Sequence, residues 1–555
     1  MKKKALCLVL AALLAATVLA GCSQQASEPE AAMKAGTYKA TAPGFYGDFE
    51  VSVTVDEKSI LSIDIGENME TTGIGSTGLE LMAERMKEYN TAGVDAVTGA
   101  TMSSAALRVA VTDCLRQAGA PESMFKAPEI KKEAEKTIDT DVLVIGAGAA
   151  GLSASITAAQ GGAKVTLIEK QDIIGGTTVL SAGIVYAALD EADMPKMVDY
   201  YMERANGNAS REMLTYFAEH SLETIAFLED AGVQWMMTAP AGTAPEPRAR
   251  FSVGFTGYTI TSALEKKAKD LGVTIMTGVK GTELITRDGA VVGAKATSAA
   301  GDYVFNAGAV VLATGGFDAS PEMKSQYAPD STNDFPLSNK GNVGEGIQMG
   351  MAVGADTVFK GGMIGFICVD ATLSNSGQNS LAFASKCFVK KDGTFLGMHI
   401  DYPISHTLIK KSGESLVYGL MDSTGSQDGT NASGETAVSI GRGFKADTIE
   451  ELAAAAGMDA AKLADAAGQA GLTTAPYYLV EVRPTTIGSM GGLKTNTKAE
   501  VLDKQGNPIP GLYAAGEVAN GDFYDVEYPA SGSSNGLAIT FGRAAGTNAA
   551  EYVRK

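Results

Sequence analysis

The chain has 555 residues, 45% apolar and 20% charged, the composition of a folded protein with a large core. Its 64 acidic residues outnumber the 45 basic ones, leaving a formal net charge of −19 and no basic stripe to neutralise phosphates, which excludes nucleic acid as a partner. Only three histidines are present (His220, His399, His406), and the five cysteines form no CxxC or CxxCH, so no metal site is expected.

The opening MKKKALCLVLAALLAATVLAGCSQQ sets three lysines before an apolar run of leader length, then LAGC. Small residues ahead of a cysteine predict a lipoprotein signal over 1–22, cut so that Cys22 carries the lipid; an uncleaved anchor is the alternative. Residues 23–34 read as a tether, and no later segment is an uninterrupted membrane span. The expectation is an extracytoplasmic protein, lipid-anchored to the bacterial cell membrane. Cys114, Cys368 and Cys387 remain after the leader; a Cys368–Cys387 disulfide is open, but buried thiols are expected.

Residues 35–120 read as a small α+β module. GTYKATAPGFYGDFEVSVTVDEKSILSIDI alternates apolar and polar positions as paired strands do, and TGLELMAERMKEYN reads as a helix. DAVTGATMSSAALRVAVTDCLRQAG then runs from a glycine turn into an amphipathic helix. A Gly-Ala-Thr step at a helix start gathers hydroxyls and free N–H groups, which suits a phosphate; the alternative is that Thr101, Ser103 and Ser104 simply cap the helix. Asp95-Ala-Val-Thr-Gly-Ala-Thr101 resembles the flavinylation motif of FMN-binding domains. That resemblance covers the whole module and implies FMN joined to Thr101 by a phosphoester, attached after export by a separate flavin transferase. A charged linker over 121–137 follows.

DTDVLVIGAGAAGLSASITAAQGGAKVTLIEK has the order of a dinucleotide fold: a buried strand, a turn with Gly146, Gly148 and Gly151, a helix, and a second strand ending at Glu169. The glycines let backbone approach a pyrophosphate at a helix N-terminus, and the carboxylate suits ribose hydroxyls. Ala150 and Lys170 belong to the same set. Three further loops follow: IIGGTTVLSAGIVYA with Gly176, Thr177, Thr178, Ala182 and Gly183; AGAVVLATGGF with Thr314 and Gly315; and GLYAAGEVANG with Glu517. Loops so far apart converge on one large cofactor, which favours FAD, bound non-covalently, over NAD.

Together these segments resemble the fumarate reductase/succinate dehydrogenase flavoprotein family over 138–555, and NKGNVGEGIQMGMAVGA matches its mid-chain motif. The resemblance adds Glu345, Gly536 and Leu537 to the FAD set. It implies an α/β fold: the FMN module, then a Rossmann-like FAD domain (138–346 and 486–555) interrupted by an α+β capping domain (347–485). An FMN domain ahead of this body is the layout of urocanate reductases and related anaerobic respiratory reductases. The implied activity is hydride transfer from FAD to an activated C=C bond of a small molecule, with electrons from a membrane donor passing through FMN.

The family's dicarboxylate machinery does not align. Two histidines and two arginines are expected, yet residues 346–398 hold no histidine, RPTTIGSMGGL has Arg483 but no histidine, and PASGSSNG has no cation. Where a proton-donating arginine is due, GTFLGMHIDYP offers Tyr402. Tyr528-Pro-Ala-Ser-Gly532 resembles instead the YPxxG motif of 3-ketosteroid dehydrogenases, whose tyrosine hydroxyl and glycine N–H bind a ketone oxygen. The resulting expectation is an enone-type substrate, with Tyr528 and Gly532 on the ketone and Tyr402 as acid. Both tyrosines have a purely structural alternative; His399 and His406 are expected on the surface or packed within the cap, with His406 in DYPISHTLIKK also within reach of the site. A carboxylate substrate (urocanate, fumarate or cinnamate type) held by Arg248 or Arg250 stays open, as does a non-enzymatic electron-transfer lipoprotein.

Overall fold

The computed structural model describes residues 32–45, 47–369, 380–424 and 432–555. The expected leader over 1–22, with Cys22, and most of the tether lie outside the described residues. The chain divides into two compact units, the first drawing on the chain up to Glu70, Leu79–Ala96 and Met102–Glu129, the second on Thr71–Gly78, Val97–Thr101 and Ile130–Lys555.

In the first unit, Gly36–Gly44, Gly47–Val55 and Ile60–Ile65 form an antiparallel three-stranded sheet. Val51, Val53 and Val55 alternate inward along the middle strand and are buried, as are Leu79, Met82, Leu107 and Val111 on the unit's two helices. The expected linker begins inside this unit, since Glu122–Phe125 is a short helical turn with Met124 buried.

The second unit is built on an eight-stranded sheet whose spine runs Lys280–Arg287, Ala290–Ser298, Gly301–Leu312, Lys136–Ile145, Val165–Ile168, Thr274–Met276. Lys136–Ile145 pairs in parallel with both neighbours, and its last four residues, Val-Leu-Val-Ile, are buried, as a parallel strand covered on both faces requires. A second, seven-stranded sheet gathers around Tyr477–Leu493, which pairs with Thr357–Cys368, Val417–Asp422 and Gly443–Ala446. That 17-residue strand runs unbroken through residue 485, the expected cap boundary. A three-stranded sheet of Ile184–Tyr186, Ala249–Ser252 and Trp235–Ala239 completes the unit. Cys114, Cys368 and Cys387 are buried thiols. No helix among the described residues is long and apolar enough to cross a membrane.

The turn after Lys136–Ile145 leads into the helix Ala149–Gln160, and the last helix, Ser533–Val553, packs directly on it. That contact is made by glycine. A Cβ on Gly542 would sit 2.4 Å from the Ala150 carbonyl oxygen, and one on Gly546 would sit 2.0 Å from that of Ala154. Helix propensity alone favours Gly546→Ala by about 1 kcal/mol. The clash runs the other way, because overpacking of this kind costs about 1–3 kcal/mol. We expect Gly546→Ala to destabilise the protein, seen as a lower urea midpoint with an unchanged slope; a higher midpoint would mean that the helices are not in close contact.

Candidate active site

The turn from Gly146 to Gly151 is shaped by what its atoms cannot touch. Gly146 has φ +106, and a Cβ there would lie 2.3 Å from the Ala313 carbonyl oxygen. A Cβ on Gly151 would lie 1.8 Å from the carbonyl oxygen of Gly146 itself. Only glycine at both positions closes this turn, and closure aims the first N–H groups of Ala149–Gln160 at one side of a cavity of about 870 Å³. Glu169, at the end of the next strand, accepts the Ala147 and Gln171 N–H groups at 2.8 and 2.9 Å; burial still holds its carboxyl above the usual range.

Gly146, Gly148, Ala150, Glu169, Lys170, Gly176, Thr177, Thr178, Ala182, Thr314, Gly315, Glu345 and Glu517 all line this one cavity. Lys170 and Lys280 both ion-pair with Glu345. Burial works against the Glu345 charge, but the two ammonium groups outweigh it and hold the carboxyl below its ordinary value. Gly151, Gly183, Gly536 and Leu537 do not line the cavity. Gly183 and Gly536 act as spacers, since a Cβ would meet the Ser252 hydroxyl at 2.1 Å and the Tyr186 carbonyl at 2.5 Å respectively. Leu537, on the last helix, packs in the core. A cavity with a glycine cradle, a helix N-terminus, a buried acid at the strand end and a buried Thr314 hydroxyl with no partner among the described residues fits FAD.

The other end of the cavity is aromatic. Tyr528, Gly532 and Tyr402 line it together with Phe366, Phe383 and His399. Tyr528 is 3% exposed, and its hydroxyl oxygen accepts the Ser534 N–H at 2.7 Å, which leaves its own proton to donate. Gly532 precedes the helix Ser533–Val553 with φ +88, and a Cβ would meet Ile184 and Tyr186 at 2.8–3.1 Å. Burial raises both tyrosines well above the usual phenol range, so they are neutral donors at physiological pH.

His399 corrects an expectation: it lines the cavity, with Nδ1 2.7 Å from the Ser405 hydroxyl and its ring parallel to Phe383. Burial pushes it down to about 4, so it is neutral. His406 is buried beside Asp334 and lies off the cavity. The arginines kept open for a carboxylate are committed elsewhere. Arg248 is 1% exposed and forms a bidentate pair with Asp193 at 2.7 and 2.8 Å. Arg250 donates to the Ala187 and Ala188 carbonyls, and Arg483 reaches Glu481. Among the described residues lining the cavity, the only lysines are Lys170 and Lys280 and there is no arginine. The internal stretches outside the described residues, DATLSNSGQN and GSQDGTN, contain no basic residue either.

Sequence reasoning passed over Asp401 and Ser531, which also line the cavity. Asp401 had a legible signal. Asp-Tyr-Pro is a helix start, with Asp as N-cap and Pro in the first turn, and Asp401 does cap the helix Tyr402–Lys411.

Residues 141–534 match the FAD binding domain family and residues 44–116 the FMN-binding domain family. The first match spans well over half the chain, so the protein belongs to the FAD-binding flavoproteins and carries an FMN-binding domain ahead of that body. Urocanate reductase of Eggerthella lenta is 31% identical over 98% of this chain and 97% of its own length. A flavocytochrome c3 fumarate reductase in its open conformation matches 75% of this chain and 79% of its own, at 28% identity and TM-score 0.62. The 3-ketosteroid-Δ4-(5α)-dehydrogenase from Rhodococcus jostii RHA1, solved with 4-androstene-3,17-dione, matches 76% of this chain and 100% of its own, at 25% identity and TM-score 0.61. The protein is an FAD-dependent oxidoreductase acting on CH–CH groups, a flavoprotein reductase of unsaturated compounds.

Glu517 in the cavity wall and Asp318 behind it are a buried acid pair. Glu517 accepts from the Ser489 N–H at 3.4 Å and the Asn342 amide at 3.3 Å, and Asp318 accepts from the Ser338 hydroxyl at 2.7 Å. Burial and the neighbouring Asp318 charge push Glu517 up to about 8, and burial raises Asp318 as well. A carboxyl raised on folding binds its proton more tightly in the native state, so stability falls as pH climbs from its ordinary value of 4.5 through about 8. Melting temperature measured from about pH 5 to about pH 9 should decline, and Glu517→Gln should flatten that decline. An unchanged slope in the variant would show that Glu517 does not hold the proton.

Proposed function

We propose that this protein reduces the C=C bond of a neutral, enone-type acceptor of 3-ketosteroid kind. The observation supporting this acceptor is that Tyr528 and Gly532, two neutral donors, line the cavity, whose described lining holds no arginine and no lysine besides the Glu345-paired Lys170 and Lys280. FAD bound in the cavity supplies the reducing hydride to the β-carbon of the acceptor. Tyr528 and the Gly532 N–H hold the ketone oxygen and stabilise the negative charge that develops there. Tyr402 delivers the proton to the α-carbon. Neutral donors suit an uncharged ketone, because a buried cation without a counter-charge costs more than the bond returns. Phe366 and Phe383 wall this end and keep water from the reacting carbons.

Electrons enter, in this reading, from a membrane donor through FMN on Thr101, the exposed first residue of the helix Thr101–Gln117. A flavin transferase attaches that FMN outside the cytoplasm, where lipid on Cys22 holds the chain to the cell membrane. Within the first unit, Glu70 accepts the Ser103 hydroxyl at 2.5 Å and the Phe45 N–H at 2.6 Å, which pins the start of this helix to the sheet.

The second reading is an unsaturated carboxylate of the urocanate, fumarate or cinnamate type. The relatives favour it: the urocanate reductase matches nearly the whole chain, and on similarity alone this reading is the better supported of the two. It requires a cation at the acceptor, which the described lining does not offer.

Anaerobic re-oxidation separates the readings. The flavin-loaded protein is reduced, and flavin absorbance is followed on adding fumarate, urocanate, a cinnamate and a 3-keto-4-ene steroid in turn. Re-oxidation by the ketone alone is expected, and Tyr528→Phe should lower kcat/KM for it by roughly 10²–10³ with flavin content unchanged. Re-oxidation by a carboxylate alone would overturn the enone reading. Thr101→Ala should abolish flavin fluorescence that survives denaturing electrophoresis; fluorescence that persists would place the covalent flavin elsewhere.

A further inference from the structure

We infer that an apolar strip, running outward from Gly532 across the sheet of Ile184–Tyr186, Ala249–Ser252 and Trp235–Ala239, is a second binding subsite that holds the fused-ring body of the acceptor. The inference rests on the enone reading of the site. Strand order and register lay the strip out. Ile184 pairs with Phe251, and Phe251 pairs with Met237 on an outer strand, so the three side chains stand side by side on one face. Phe255 adds a second ring, its centroid 5.2 Å from that of Phe251. The inner end is fixed at Gly532. A Cβ there would meet the Ile184 side chain at 2.8 Å, and the Gly532 carbonyl accepts the Tyr186 N–H at 3.1 Å.

Continuity and exposure together give the strip its occupant. Ile184, Phe251 and Phe255 line the same cavity as Tyr528 and Gly532, so the strip and the donors face one space. At its outer end Met237 is 43% exposed and Phe255 47%. An apolar run that begins inside a cavity and ends in solvent suits a ligand longer than the cavity end, not a small polar acceptor. Neighbouring strands lie about 4.8 Å apart, so the strip extends about 10 Å from Ile184 to Met237. A single ring covers only part of that length. A rigid fused-ring body spans it and gives up little freedom on binding. The opposite face of the sheet is not equivalent, because Arg250 alternates onto it and donates to the Ala187 and Ala188 carbonyls.

The strip makes two demands on the acceptor. Added rings should tighten binding and leave the limiting rate of reduction little changed, because contacts remote from the reacting carbons form equally in the bound acceptor and in its transition state. A polar group on the ring remote from the ketone should be accepted, because the strip ends on an outer strand with Met237 open to solvent.

Enones of increasing size test this on the flavin-loaded protein, reduced under anaerobic conditions. The probes are cyclohexenone, a two-ring enone, a 3-keto-4-ene steroid, and that steroid with a hydroxyl on the ring remote from the ketone. The concentration dependence of flavin re-oxidation gives a limiting rate and an apparent Kd for each. Kd should fall by roughly tenfold or more from cyclohexenone to the steroid and hold for the hydroxylated steroid. Met237→Gln and Phe255→Ser, both at exposed positions, should each raise the ratio of Kd for the steroid to Kd for cyclohexenone by roughly tenfold. A ratio that neither variant moves would overturn the strip and leave the enone reading standing. Equal Kd for cyclohexenone and the steroid in the wild type, or loss of re-oxidation with the hydroxylated steroid, would overturn it too. Re-oxidation by none of the enones would overturn the enone reading, and the strip with it.

Discussion

The second unit depends on one steric constraint: at the first βα turn, backbone must pass backbone with no side chain between. Gly146 lies against Ala313, Gly151 against Gly146, and Gly542 and Gly546 against Ala150 and Ala154. These contacts set the distance between the first strand, its helix and the last helix of the chain. They therefore also set where the helix N-terminus points and where Gly532, at the start of that last helix, presents its N–H. Cofactor cradle and acceptor end are coupled through this packing, although some four hundred residues of sequence separate them.

Electrostatics divides the cavity along its length. Lys170, Lys280 and Glu345 form a charged cluster at the cofactor end, where a polyanionic cofactor is to be held. At the acceptor end two phenols, a neutral imidazole and a peptide N–H offer hydrogen bonds without charge. Asp401, which lines the cavity beside them, accepts two backbone N–H groups. Among the described lining residues, hydrogen-bond donors without charge dominate there, and the cations sit with Glu345.

Most of the cofactor site was legible in the sequence, because close backbone approach demands glycine and strand burial demands apolar runs. Gly146, Gly148, Glu169, Thr314 and Glu517 come together as their spacing predicts. Gly536 and Leu537, which the family pattern adds to the cofactor set, do not line the cavity: one lies against the Tyr186 carbonyl and the other packs in the core. The acceptor end was harder to read. His399 and Phe383 reach the cavity through the tertiary packing of short strands and turns, which leaves no periodicity. Arg248 was hard to read for a related reason: a cation in a polar-looking loop is almost fully buried, paired with Asp193 fifty-five residues earlier.

The acceptor end is assembled largely from side chains of the seven-stranded sheet and its flanking segments, while the cofactor end is assembled largely from backbone of the parallel sheet and its turns. Backbone contacts tolerate few replacements; side-chain walls tolerate many. Over evolutionary time such a scaffold can trade one acceptor for another by repainting Phe366, Phe383, His399 and Tyr402, without losing its grip on flavin. A lineage built this way diversifies at one end of a single cavity and stays conservative at the other.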